Sequence, residues 1–294
     1  MKYEEIDALN WSTLKLMDIS PAYCKHAADH PEEFGDKESY KLGRCEHCAI
    51  LEPDEFDKRY IVQPDFGNMA TNAAKEEKLD WMLYLFNEKV TFEIPEEKLS
   101  PGKLLSKQIS FLEDHLPDLG IEVITKDEYD ASWRASAAVR AHKHAIELIN
   151  GASVEHTVQW KTKGIKSKGR LDLINERVID LKSTRRNTLR EIIKDAANYD
   201  YHGQCAWYHD GAVKAGLING DVLPAAIFVH APKGSKFVDV AVLSMGLYHD
   251  TLEAGRELYE KLLMQYMGCQ AANWWPGMAT EVMPWELPAY KMEG

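Results

Sequence analysis

The stretch from residue 169 to 185, GRLDLINERVIDLKSTR, constrains the fold more than any other part of the chain. Its aliphatic residues Leu171, Leu173, Ile174, Val178, Ile179 and Leu181 require burial, yet Asp172, Asp180 and Lys182 stand among them. Side chains alternate across a strand. Val178, Asp180 and Lys182 therefore share one face, Ile179 and Leu181 the other. In the first half Arg170, Asp172 and Ile174 share a face. The two halves read as strands joined at Asn-Glu-Arg. A three-residue turn pairs Ile174 with Val178 and sets Asp172 opposite Asp180, with Cβ atoms about 5 Å apart. A two-residue turn slips the register and sends the aspartates to opposite faces. Both turns are open to this sequence.

Two carboxylates so close repel, and in a half-buried site one takes up a proton unless a cation compensates. Lys182 is one such cation. A divalent metal is a stronger one, and ligands of this kind suit Mg²⁺ or Mn²⁺. A metal held by two aspartates beside a lysine is a constellation for phosphodiester hydrolysis. The ion neutralises phosphate charge and activates water, and the lysine orients the water or stabilises the transition state. The short pattern acid-x-Lys recurs as Glu76/Lys78 and Glu96/Lys98, but only Asp180/Lys182 has apolar flanks and a preceding strand aspartate. The plain alternative is a surface hairpin bearing an Asp–Lys ion pair.

The rest of the chain frames this hairpin. With 294 residues, 45% of them hydrophobic, one large α/β domain over 1–294 is expected. Residues 1–150 read as mainly helical, 151–245 as a sheet core, and 246–294 as a C-terminal helix and aromatic tail. Ser20-Pro21 is an N-cap followed by proline at the first helical position. Helices are expected over 39–51 with Pro53 as stop, over 73–87, and as one long run from Glu128 to Leu148 ending at Asn150-Gly151. Strands are expected at SVEHTVQW, GRLDLIN, RVIDLK, 225–231 and 236–244, and helices at 188–198, 200–216 and 246–267. No run approaches the roughly 18 apolar residues of a membrane span, and the acidic opening MKYEEIDALNW has no signal-peptide core. A cytoplasmic location without membrane association is expected.

The net charge of −12 argues against a generally adhesive nucleic-acid coat protein. Local charge still decides binding. KTKGIKSKGR, 161–170, holds five cations and no acid and reads as a solvated loop. Together with STRR it offers Lys161, Lys163, Lys166, Lys168, Arg170, Arg185 and Arg186 to phosphates, contacts that position DNA without reading sequence. Five cysteines, an odd number, do not suggest a disulfide framework. Cys45 and Cys48 flank His47 as C-x-x-C, but zinc needs further ligands and no second pair exists. These cysteines read as packing residues.

SKGRLDLINERVIDLKSTR resembles the core of the PD-(D/E)xK nuclease superfamily, in its RecE-type exonuclease (exodeoxyribonuclease VIII-like) branch, common in phages and prophages. WSTLKLMDISPAYCKH (11–26), LGRCEHCAILEPDEFDKRY (42–60) and YHGQCAWYHDG (201–211) resemble further segments of that branch, in the same order. The proline of the superfamily's Pro-Asp is replaced by Leu171. The resemblance implies a restriction-endonuclease-like central mixed sheet flanked by helices, with an N-terminal helical portion. It implies a Mg²⁺-dependent exonuclease, Mn²⁺ substituting, that degrades linear double-stranded DNA from 5′ to 3′. The branch acts as a homo-oligomeric ring with a single-strand annealing protein in phage-type recombination in the bacterial cytoplasm. Residue by residue, Asp172 and Asp180 match the metal-binding acids, Lys182 the catalytic lysine, and His47 a histidine ligand. The Leu181 carbonyl joins the metal, Glu155 matches a further acidic position, and Gln204 and Tyr208 match a Gln-x-x-x-Tyr helix near the scissile phosphate. An endonuclease of the same fold and a non-catalytic DNA-binding protein are the competing readings.

Overall fold

The computed structural model describes residues 3–34, 40–87, 99–232, 236–245 and 250–283. In chain order the helices are α1 (Trp11–Leu14), α2 (Pro21–Asp29), α3 (Lys41–Leu51), α4 (Pro53–Arg59), α5 (Asn72–Leu85), α6 (Pro101–His115), α7 (Lys126–Ala141), α8 (Lys143–Ile149), α9 (Leu189–Asn198), α10 (Tyr201–Lys214) and α11 (Asp250–Ala272). The strands are β1 (Tyr60–Val62), β2 (Glu122–Ile124), β3 (Ser153–Thr162), β4 (Ile165–Ile174), β5 (Val178–Thr184), β6 (Ala225–His230) and β7 (Asp239–Ser244). Among the described residues no helix is long and apolar enough to cross a membrane.

The chain divides into two compact units. The larger unit comprises Met1–Tyr40 and Ala138–Gly294, the smaller Lys41–Ala137. The division falls within α7. The expected single helix from Glu128 to Leu148 is two helices, because His142 turns extended (φ −84, ψ 112) and its ring accepts the Ala145 N–H as the cap of α8. The final helix runs on to Ala272. The expected start of that helix at 246, that of the 39–51 helix at Ser39, and the end of the tail from 284 lie outside the described residues.

In the smaller unit Pro53 ends one helix by starting the next, at the first position of α4. Cys45, Cys48, Phe56, Tyr60 and Ile124 form one apolar cluster, and Leu79, Met82, Ile109, Leu112 and Leu116 another. Helices α4 and α6 and the parallel pair β1–β2 have no counterpart in the sequence reading; the pair joins Tyr60 to Glu122 across some sixty residues. Arg44 pairs with Glu122 at 2.6 Å. Burial pushes the Cys45 thiol up to about 12 and that of Cys48 up to about 11. Protonated and packed, they behave as small core residues.

The larger unit holds a mixed sheet in the order β3-β4-β5-β6-β7. All neighbours are antiparallel except β5 and β6, which run parallel. A parallel pair needs a crossover, and here α9 and α10 supply it. Thr188 opens α9 with a capping box closed by Glu191. Helix α10 lies on β3, β4 and β5, and α11 packs against α10. Trp207 of α10 stacks edge-on against Trp160 of β3 and Tyr259 of α11, with ring centroids 5.2 and 5.6 Å apart. The helices approach so closely that a Cβ at Gly255 would overlap the His202 carbonyl.

The expected loop at 161–170 is instead a hairpin. Strand β3 runs to Thr162 and β4 resumes at Ile165, and both turn residues take left-handed backbone, Lys163 at φ 50 and Gly164 at φ 87. Two consecutive positive φ values match the twist of a two-residue hairpin turn.

Asp210 ties α10 to α11. Its carboxylate accepts from Arg256 Nη2 at 2.8 Å and from the Tyr259 hydroxyl at 2.6 Å, with His209 Nδ1 at 3.1 Å. Burial alone would raise its pKa, but these hydrogen bonds and the guanidinium charge outweigh burial and hold the carboxyl well below the usual range. A depressed folded value stabilises above the unfolded pKa of about 4, and that contribution is lost as pH falls through the folded value. Asp210→Asn should therefore cost about 3 kcal/mol at pH 7. Its deficit against wild type should shrink below about pH 4, as read by urea unfolding over a pH series.

Candidate metal centre

The turn between β4 and β5 has three residues, Asn175 to Arg177. Ile174 pairs with Val178 and Leu173 with Ile179. Asn175 holds the turn, with its Oδ1 accepting the Arg177 N–H at 3.1 Å and its amide donating to the Leu148 carbonyl at 2.9 Å. The next residues in this register are Asp172 and Asp180, where the regular pairing ends. An Asp172 carboxylate oxygen accepts the Leu181 backbone N–H at 2.8 Å. The carboxylate is thereby fixed across the two strands at the point where they separate.

Asp180 is only 3% exposed. Its carboxylate accepts from Lys182 Nζ at 2.9 Å on one oxygen and lies 2.7 Å from it on the other. The Gln204 side-chain amide donates to it at 3.4 Å. Burial by itself would lower the Lys182 pKa. Asp180 and then Asp172 act more strongly together, and the ammonium pKa is raised. The same acids, with burial as the larger cause, raise the Cys205 thiol and the Tyr208 phenol. Asp172, Asp180, Lys182, Cys205 and Tyr208 thus lie in one electrostatic neighbourhood. Gln204 and Tyr208 are one helical turn apart on α10. Gly169 on β4 admits the Tyr208 ring, since a Cβ there would sit 2.9 Å from it.

Glu155 sits on β3 between the paired residues Val154 and His156, across from Asp172. Its backbone is left-handed, φ 49, a conformation that costs a non-glycine residue roughly 1–3 kcal/mol. Glu155 and Asp172 each offer a carboxylate oxygen within 4.8 Å of the other. That span suits one ion with metal–oxygen bonds of about 2.1–2.5 Å. Hard oxygen donors, both half-buried, fit Mg²⁺ or Mn²⁺. His47, the remaining expected ligand, is a half-buried residue of α3 in the smaller unit.

The basic residues divide. Lys161 and Lys166 form a cross-strand pair and are exposed, and Lys163 lies in the turn, 3.7 Å from Glu260. Arg170 pairs with Glu155 at 2.9 Å. Arg186 pairs with Asp195, whereas Arg185 is exposed and has no ion pair among the described residues. Lys168 does not belong in the phosphate-binding set. It is 6% exposed, and its ammonium donates to the carbonyls of Tyr3 at 2.9 Å and Ile6 at 2.8 Å. Burial lowers its pKa. Leu9 bridges to β4 beside it, so Lys168 fastens the N-terminal segment to the sheet.

Sequence reasoning missed the groove beyond Lys182. It has a volume of about 280 Å³, and Thr184, Arg185, Tyr199, Tyr201 and Phe228 are among its lining residues. The signal for it was the pair of tyrosines flanking the start of the Gln204 helix.

A mixed sheet carrying two aspartates and a lysine on adjacent strands, with a glutamine helix laid across them, defines a PD-(D/E)xK-like nuclease fold. Over residues 10–283 the sequence matches the family described as "PDDEXK-like domain of unknown function (DUF3799)", and the chain belongs to that family. A crystal structure described as "Putative exonuclease" from Eubacterium rectale is similar over 88% of this chain and 97% of that one, at 11% identity and a TM-score of 0.42. A likeness that slight bears no argument about function. A search of curated proteins found no match.

Replacing Lys168 with methionine removes the donors to two carbonyls and should cost about 1–3 kcal/mol. Hydrogen exchange should show the amide of Leu9, bonded to β4, losing protection first.

Proposed function

We propose that this chain is a metal-dependent deoxyribonuclease that degrades linear double-stranded DNA from its ends. The observation that carries this reading is the buried Asp180–Lys182 pair on β5, with the Asp172 carboxylate fixed to the next amide of the same strand. An ion pair so enclosed is expensive to build for stability alone. It is suited to a site where one partner is shared with an added cation.

Asp172, Asp180 and Glu155, with the Leu181 carbonyl, are the donors that would hold Mg²⁺, Mn²⁺ substituting, and the resemblance adds His47. Bound there, the ion would supply charge neutralisation at the phosphate and a more acidic water. Lys182 presents a positive charge at Nζ toward the phosphate oxygens. Gln204 fixes the Asp180 oxygen from the α10 side. Lys161, Lys163, Lys166, Arg170, Arg185 and Arg186 make phosphate contacts that position the duplex without reading its sequence. Confined to few places on an acidic chain, they favour one DNA path. Digestion from 5′ to 3′, a homo-oligomeric ring, phage origin and cooperation with a single-strand annealing protein in the bacterial cytoplasm follow from the RecE-type resemblance and complete the reading.

End-labelled linear duplex, with 5′ and 3′ labels compared, should be degraded from the 5′ end when Mg²⁺ or Mn²⁺ is present. A closed circle of the same sequence should survive. Cleavage of the circle would make the chain an endonuclease, and inactivity on both substrates would leave a DNA-binding protein. Asp180→Asn and Lys182→Ala should each lower the rate at least a hundredfold, while His47→Ala should weaken metal activation. Near-normal digestion by either of the first two variants overturns the assignment. Glutamine at Lys161 and Lys166 together should weaken duplex binding and flatten its salt dependence.

A further inference from the structure

The groove beside Lys182 has features that phosphodiester hydrolysis alone does not require. The ring centroid of Tyr201 lies 5.1 Å from Lys182 Nζ, 5.8 Å from the Tyr199 ring and 6.4 Å from that of Phe228. Tyr201 is thus the middle ring of the three, with the ammonium over it and Phe228 paired with Lys182 across the sheet. Tyr199 closes α9 and is 55% exposed. Asp200, between the two tyrosines, holds left-handed backbone at φ 56 and starts α10 directly, so the turn that sets the Gln204 helix also sets both rings. Arg186 is paired with Asp195, and Arg185 is exposed with no ion pair among the described residues. An exposed aromatic ring in a groove that a guanidinium and an ammonium also line is the combination with which proteins hold single-stranded nucleic acid.

We propose that this groove is a subsite for one unpaired nucleotide of the strand being cut, its base stacked on Tyr199 and its phosphate on Arg185. The inference rests on the nuclease reading and deepens it. The room beside Lys182 suits a single nucleotide, not a base pair. The strand therefore enters with its base already withdrawn from the duplex, and the cost of unpairing is offset by stacking. Every base has a stackable face, so the subsite accepts all four and digestion proceeds without regard to sequence.

The test is fluorescence titration of 2-aminopurine deoxyribonucleoside 5′-monophosphate with the full chain, with inorganic phosphate and the free nucleoside as competitors. Linear-duplex digestion is measured on the same preparations. Wild type should quench the probe saturably, with phosphate and nucleoside each competing weakly. Tyr199→Ala and Arg185→Gln should bind the probe about tenfold more weakly, and Tyr199→Phe should bind it as wild type does. Equal binding by Tyr199→Ala, or displacement by inorganic phosphate at equal concentration, overturns the subsite. If the duplex is still degraded in that case, the nuclease reading stands without it. If the probe binds as expected but no duplex is degraded with Mg²⁺ or Mn²⁺, the nucleotide subsite stands and the nuclease reading falls. Because Tyr199 is exposed, thermal melting of its variants should match wild type and exclude misfolding as the cause.

Discussion

The structure of the larger unit turns on one buried charge pair. Asp180 and Lys182 alternate with Ile179 and Leu181 along β5, so the strand must bury aliphatic groups on one side and ions on the other. That demand fixes what surrounds it. Helix α10 brings the Gln204 amide to the carboxylate. The parallel partner β6 covers the rest of the strand, and the crossover that parallel pairing requires is the segment carrying α9, both groove tyrosines and α10. The chemistry and the topology are two aspects of the same constraint.

Much of this was legible in the sequence for a specific reason. The strands on either side of the turn could be read, but the sequence left a two- and a three-residue turn open. The structure takes the three-residue turn, which pairs Ile174 with Val178 and aligns the aliphatic runs beside them. Local pattern and long-range pairing agree there, which is when sequence reasoning succeeds. The 161–170 segment misled because exposed lysines on a hairpin look the same in sequence as lysines in a solvated loop. Only Gly164 marks the turn, and its partner is Lys163, not the usual asparagine or aspartate. Lys168 was illegible for another reason, since its partners are backbone carbonyls some 160 positions earlier.

The smaller unit was the least readable part. Its two apolar clusters rest on helices α3 to α7 and on a parallel strand pair of three residues each, contacts that no local period announces. Ser100-Pro101 did carry a helix-start signal for α6, of the same kind that succeeded at Ser20-Pro21. The groove tyrosines went unread because exposed aromatics near a helix start acquire meaning only once β5 is known to run beneath them.

Glu155 carries a consequence for how this protein can vary. Its torsion belongs to the region that glycine, asparagine and aspartate enter most readily, yet the residue present has a longer side chain and a charge. Two filters therefore act on one codon, one on backbone shape and one on acidity, and aspartate is the substitute best able to pass both. Among diverging copies of this gene, position 155 should drift along a narrow path, while its strand neighbours exchange freely among β-branched residues.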